Sequence, residues 1–177
     1  HASVPLNEDG SFKHVRIGKK EYWGHKLLQK TDQLIRTAYF DEDGSKEKNF
    51  ALDYMWYMWC GPDAPSFDKD KMATFERYFI ADKALHKESK GYYYTLRNRA
   101  DICDNILAEF GVEPGPHSHI INGHVPVKII KGERPIKADG KLLVIDGGFS
   151  KAYQPETGIA GYTLVYHSHG MQLVQHD

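Results

Sequence analysis

Apolar residues recur at helical spacing through the first two thirds of the chain, then in short β-prone runs. Leu27, Leu28, Leu34, Ile35 and Ala38 fall on one side of a 3.6-residue repeat, which predicts an amphipathic helix over 24–39. Ahead of it, "HASVPLNEDGSFKHVRIG" predicts a short strand, an Asp9-Gly10 turn and a second short strand. A second helix is expected through "NFALDYMWYMWCG", with Phe50, Tyr54, Met55 and Met58 along one face and a stop at Gly61-Pro62. "PSFDKDKMATFERYFIADK" has mixed periodicity and predicts no single element, and "HKESKGYYY" reads as a loop. In "NRADICDNILAEFG" the expected helix is capped by Asn98, faces inward through Ile102, Ile106 and Phe110, and stops at Gly111.

From residue 119 the texture changes. "HIIN", "VPVKIIK", "KLLVIDGG", "GYTLVYHS" and "MQLVQH" are short β-prone runs separated by turn residues. Asp139-Gly140 is expected to join two strands, and His169-Gly170 to close a terminal hairpin. Helices followed by a meandering sheet give the α+β class, as one domain with a helical annex.

Composition narrows the function classes. The formal charge of −1 offers no electrostatic reason to expect nucleic acid or an anionic membrane as a partner. The two cysteines, Cys60 and Cys103, form no C-x-x-C pair and are expected as buried free thiols in a reducing, cytoplasmic setting. No apolar run approaches the roughly 20 residues that span a bilayer. No signal peptide is recognisable, and the first residue is His, so the chain is expected to come from a longer or processed protein.

The stretch "HSHIINGHVPVK" carries the main chemical candidate. A short apolar strand ends in Asn122, Gly123 lets the backbone turn, and His124 projects from the strand end. A neutral imidazole there suits Mn, Fe or Zn, although a turn histidine with one backbone hydrogen bond fits the same pattern. His1 in "HASVPL" is far away in sequence, as ligands from neighbouring strand ends often are. In "VIDGGFSKAYQ" a strand runs into Asp146-Gly147-Gly148, Ser150 and Lys151. These amides, a hydroxyl and an ammonium suit an anionic oxygen cluster, and equally a plain turn. His117 and His119 read as strand-entry residues, and His167, His169 and His176 as solvent-facing. "YMWYMW" reads first as packing, and Arg77 in "FERYF" as an anion clamp or a solvated side chain. No nucleophile–base or paired-carboxylate arrangement stands out, so no catalytic residue is assigned.

Taken together, "HASVPLNEDGSF", "FALDYMWYMWCG", "FERYF", "HIINGHVPVK" and "KLLVIDGGFSKAYQ" closely resemble the C-terminal part of class III fructose-1,6-bisphosphatase, across essentially all 177 residues. That family is related to the metallophosphoesterases and Ser/Thr protein phosphatases. The resemblance implies a metallophosphoesterase-like β-sandwich flanked by helices. Its segments would be a strand segment over 1–18, a mainly helical insertion over 19–116 and a β-rich part over 117–177, all in one catalytic domain. It implies a dinuclear divalent-metal site, expected to hold Mn, with His1 matching an "HGG"-like opening and His124 a "GH" motif on the same metal. Pro126 stands where many relatives of the wider superfamily carry a second His, as in the "GHTP" variant. The D-x-H, G-D-x-x-D and G-N-H-D/E motifs are absent from these 177 residues, so the site is expected to be completed by a missing N-terminal half.

The expected activity is hydrolysis of fructose 1,6-bisphosphate to fructose 6-phosphate and phosphate in gluconeogenesis, with this chain alone inactive. Lys128, Ser150, Lys151 and Arg77 are the candidate contacts to the sugar phosphates, assigned from residue chemistry and not from a motif. The alternatives are a phosphatase of the protein or dinucleotide type, or a non-catalytic assembly domain, with a homo-oligomer as a possible state.

Overall fold

The computed structural model describes residues 3–176. His1 and Ala2 lie outside the described residues, and with them the expected placement of the His1 imidazole. The described chain divides into two compact units, residues 3–96 and residues 97–176.

The first unit contains β1 (Val15–Ile17), β2 (Lys20–Tyr22), α1 (Gly24–Phe40), α2 (Lys46–Cys60), α3 (Thr74–Phe79) and α4 (Tyr93–Leu96), with a 3-10 turn at Lys83–His86 before α4. Its core joins Val15, Ile17, Leu27, Leu34, Ala38, Ala51 and Tyr54. The face of α1 is shifted from the expected one: Thr31 is buried in it, while Ile35 is exposed. Thr31 can be buried because its hydroxyl shares a 2.9 Å hydrogen bond with the Tyr54 hydroxyl from α2. α2 ends as expected at Gly61, and Ser45 caps its start by accepting from the Lys48 N–H.

The hairpin lies one turn later than the pattern suggests. Around Asp9-Gly10 only a single bridge forms, Leu6 to Phe12, because Asp9 Oδ1 takes both the N–H and the hydroxyl of Ser11. Continuous pairing begins at β1, which runs antiparallel to β2 through a two-residue Gly18-Lys19 turn, Gly18 adopting φ +62°. Within the ambiguous stretch, α3 forms over Thr74–Phe79 and buries none of its residues.

The second unit holds α5 (Ala100–Glu109), β3 (Ile120–Asn122), β4 (Ile136–Lys137), β5 (Leu142–Val144), α6 (Gln154–Thr157), β6 (Gly161–His167) and β7 (Gly170–His176). α5 buries Ile102, Cys103, Ile106 and Leu107, but Arg99, not Asn98, occupies its N-cap and makes no side-chain cap bond. Gly111 follows at φ +74°, the expected left-handed stop. Both cysteines are free, Cys103 buried and Cys60 only half-buried.

The strands do not form one meander. β5 is the centre of a three-stranded sheet, parallel to β3 and antiparallel to β4, while β6 and β7 make a separate antiparallel ribbon. "VPVKIIK" is not a strand: Pro126 has no N–H to give a ladder, and Ile129–Lys131 close a 3-10 turn that Gly132 ends at φ +77°. Helices with three small sheets make the α+β class. No helix of the described residues is long and apolar enough to cross a membrane.

Candidate metal and phosphate site

β3 and β5 are parallel neighbours, so their C-terminal ends lie side by side, with Asn122 opposite Val144. One end continues into Gly123-His124, the other into Asp146-Gly147-Gly148. The ladder runs past the formal strand ends: the Ile145 N–H donates to Asn122 O at 3.0 Å, and the Val127 N–H to Asp146 O at 2.8 Å. Between those two bonds the upper strand is interrupted. The Val125 N–H donates back to Gly123 O at 2.9 Å, closing a three-residue turn around His124, whose φ is +68°. That is a γ-turn with a non-glycine residue at its positive-φ centre, a strained arrangement that surrounding pairing must hold in place. His124 is exposed at the apex, while Asn122 below it is buried.

Arg97 holds the base of this turn. It is buried, and its Nη1 donates to Asn122 Oδ1 at 2.8 Å. Sequence reasoning missed Arg97 because an Arg just ahead of a helix ordinarily reads as solvated, and only the fold brings it 25 residues along the chain to Asn122. Its charge acts a second time on Lys137, which is held below the usual lysine range by burial first and by Arg97 second.

The Asp146-Gly147-Gly148 loop shows why those residue types recur there. Asp146 Oδ1 accepts the Gly148 N–H at 3.0 Å, and Gly148 takes φ +77°. A Cβ on Gly147 would lie 2.5 Å from the Gly161 Cα, so the start of β6 packs backbone to backbone on the loop. The Gly148 amide is therefore already used by the turn and is not an open anion donor.

Ser150 and Lys151 follow on the same loop and are exposed. Lys128, four residues after His124, is half-buried with its Nζ 3.7 Å from Glu156 Oε2, a loose pair easily exchanged for another anion. The fold thus gathers His124, Lys128, Ser150 and Lys151 onto the loops that follow the β3–β5 pair. Arg77 belongs to the other unit, where its Nη2 donates to His86 O at 3.2 Å and lies 3.6 Å from Glu88.

His119, His167 and His176 are engaged in local hydrogen bonds. His119 Nδ1 is 2.8 Å from Gly140 O, His167 Nδ1 accepts the His169 N–H, and His176 Nε2 pairs with the Thr163 hydroxyl at 2.8 Å. Among the described residues no group of three or more His, Cys, Asp or Glu side chains is arranged to hold a metal ion. The donors present fit one corner of a cation site, an exposed imidazole at a strand end, and need further ligands.

The family model of the Firmicute fructose-1,6-bisphosphatases matches residues 1–177. The chain belongs to that family. Over its whole length it is 82% identical to the class 3 fructose-1,6-bisphosphatase of Bacteroides fragilis, covering 26% of that relative. Identity is 81% to the same enzyme of Bacteroides thetaiotaomicron and 66% to that of Phocaeicola vulgatus, again over 26% of each relative. The chain therefore spans about a quarter of the length of these curated relatives. No solved structure matches it. For a fructose-1,6-bisphosphatase family member, the resemblance noted in the sequence is upheld.

Proposed function

We propose that this chain forms part of a metal-dependent sugar-bisphosphate phosphatase that hydrolyses fructose 1,6-bisphosphate to fructose 6-phosphate and phosphate, a gluconeogenic reaction of the cytoplasm. The observation that carries the reading is 82% identity across all 177 residues to a protein of that name. Both compact units would belong to one catalytic domain, part of a metallophosphoesterase-like β-sandwich flanked by helices that the rest of the polypeptide completes.

His124, raised on its γ-turn and braced through Asn122 and Arg97, is the proposed ligand from the β3 end, with His1 on the same metal. The remaining ligands would come from outside these residues. A divalent cation pair, Mn being the proposed metal, would polarise the substrate's phosphoryl group and lower the pKa of a bound water. Lys128 and Lys151 then offer ammonium charge to the substrate phosphates, Ser150 offers a hydroxyl donor, and Arg77 is a fourth candidate contact. Lys128 would leave Glu156 to do so. The chain alone, with its incomplete donor set, would bind the cations poorly and turn over no substrate.

The test compares phosphate release from fructose 1,6-bisphosphate, a phosphopeptide and a dinucleotide. The enzyme is the intact polypeptide, made by joining this chain to the remaining three quarters of its Bacteroides fragilis relative. Preferential hydrolysis of the bisphosphate is expected. Preference for the phosphopeptide or the dinucleotide would place the chain in one of the other phosphatase types, and absence of any turnover would favour an assembly role.

A further inference from the structure

α2 is apolar on more than one side. Ala51 and Tyr54 face the core of the first unit, yet Leu52, Met55, Trp56 and Trp59 on its other sides are exposed. A helix that is hydrophobic all round is ordinarily covered all round. The exposed side of α2 is also not isolated. The rings of Trp56 and Trp59 lie 5.0 Å apart edge to face, Trp59 meets Phe75 at 5.8 Å, Phe75 stacks on Phe79 at 6.4 Å, and Tyr78 adjoins Phe79 at 6.4 Å. This continuous ladder of rings runs from α2 onto α3, and its members keep 60% (Trp56), 53% (Phe75), 79% (Tyr78) and 80% (Phe79) of their surface in water.

Single exposed aromatics are common on soluble proteins, but a contiguous band of them is not. No residue of the short helix α3 is fully buried, and beyond the Trp59–Phe75 contact its aromatic face is left open by its own unit. The relatives this chain matches are about four times as long, so most of the family's polypeptide lies outside these residues. A covalently joined segment is present at millimolar effective concentration, which favours it over a second copy as the occupant.

We infer that the Trp56–Trp59–Phe75–Phe79–Tyr78 ladder is an intramolecular docking surface, covered in the intact enzyme by an apolar face of the remaining three quarters of the polypeptide. The inference rests on the proposal that the chain works as part of that longer protein. Binding the ladder ties the helical unit to the part of the enzyme that completes the metal site. The five rings bring large, rigid apolar area at small entropic cost, as at the centres of stable interfaces.

Hydroxyl-radical footprinting of the intact polypeptide, read residue by residue, tests this without any substitution. Each of the five residues is compared with the same residue in a short free peptide, at low and at high protein concentration. At least ten-fold protection of all five, independent of concentration, is expected. Reactivity within two- or three-fold of the free peptide overturns the inference, because exposed rings in the 177-residue fold would give that result. Protection that grows with concentration also overturns it, and assigns the surface to a second copy. Hydrolysis of fructose 1,6-bisphosphate by the same preparation is measured alongside. An active enzyme with an uncovered ladder sinks the docking surface alone, whereas an inactive one with a covered ladder sinks the proposed function alone.

Discussion

Arg97 and Asn122 are joined by a 2.8 Å hydrogen bond from guanidinium to amide oxygen, and both are buried. Asn122 is the last residue of β3, and its carbonyl also receives the Ile145 N–H. Replacing Arg97 with Met keeps the volume but leaves the Asn122 oxygen without that donor, a cost of about 1–3 kcal/mol. In the intact protein, hydrogen exchange at the Ile145 and Val127 amides is expected to accelerate by about ten-fold or more, since 1.4 kcal/mol is a factor of ten. Unchanged exchange would show that Arg97 does not brace the turn.

Asp68 gives the first unit a pH dependence. It is almost wholly buried, adopts φ +46°, and its Oδ2 has no hydrogen-bond partner among the described residues. Burial first, then the nearby Asp63, pushes its carboxyl up to about 6, against an opposing pull from Lys13. The native state thus holds the proton more tightly than the unfolded chain. Stability from this group is full below about 4, falls as pH rises through about 6, and is absent above it, a span of at most about 3 kcal/mol. Asp68→Asn, which tolerates the left-handed backbone, should flatten that slope and stabilise the protein at pH 7.5. Urea midpoints between pH 4 and pH 8 read both effects.

Gly91 is required by the same carboxylate. A Cβ there would lie 2.2 Å from the Asp68 carboxyl carbon and oxygens, and a buried Asp68 has nowhere to retreat. Gly91→Ala should destabilise by about 1–3 kcal/mol. Adding Asp68→Ala should recover part of that loss, so the two costs will not add, and a double-mutant cycle on thermal midpoints measures the coupling.

How much of this was legible in the sequence depends on the range of the interactions. Leu27, Leu34 and Ala38 announced α1 because a helix is written in local periodicity, and Gly61 and Gly111 announced stops for the same reason. The Leu6–Phe12 region misled because Asp9 bonding to Ser11 competes with pairing, and nothing in the alternation reveals who wins. The parallel pairing of β3 with β5 was not legible either, since a meander and a crossover share the same run of strands. For the site, "NGH" and "DGG" were recognisable as strand-end chemistry, but their adjacency comes from that unforeseen pairing. Arg97 stayed hidden because its partner lies far along the chain.

His124 sets stability against function. Its φ of +68° costs a non-glycine residue about 1 kcal/mol, which glycine does not incur. His124→Gly should therefore raise the unfolding midpoint of the intact enzyme slightly while removing a proposed metal ligand. Calorimetry of the metal-free protein reads the first effect, and a lowered midpoint would mean that the His124 side chain contributes to packing instead.

Bound Mn and phosphate release from fructose 1,6-bisphosphate, measured together for the intact polypeptide and its His124→Ala variant, test the assignment of His124 as a metal ligand most directly. A dinuclear complement and turnover are expected in the parent. In the variant Mn affinity should weaken by more than about 100-fold, with activity lost in parallel, beyond the roughly 10–100-fold effects of residues that only support a ligand. A folded His124→Ala protein that binds Mn and hydrolyses the bisphosphate as the parent does would contradict that assignment.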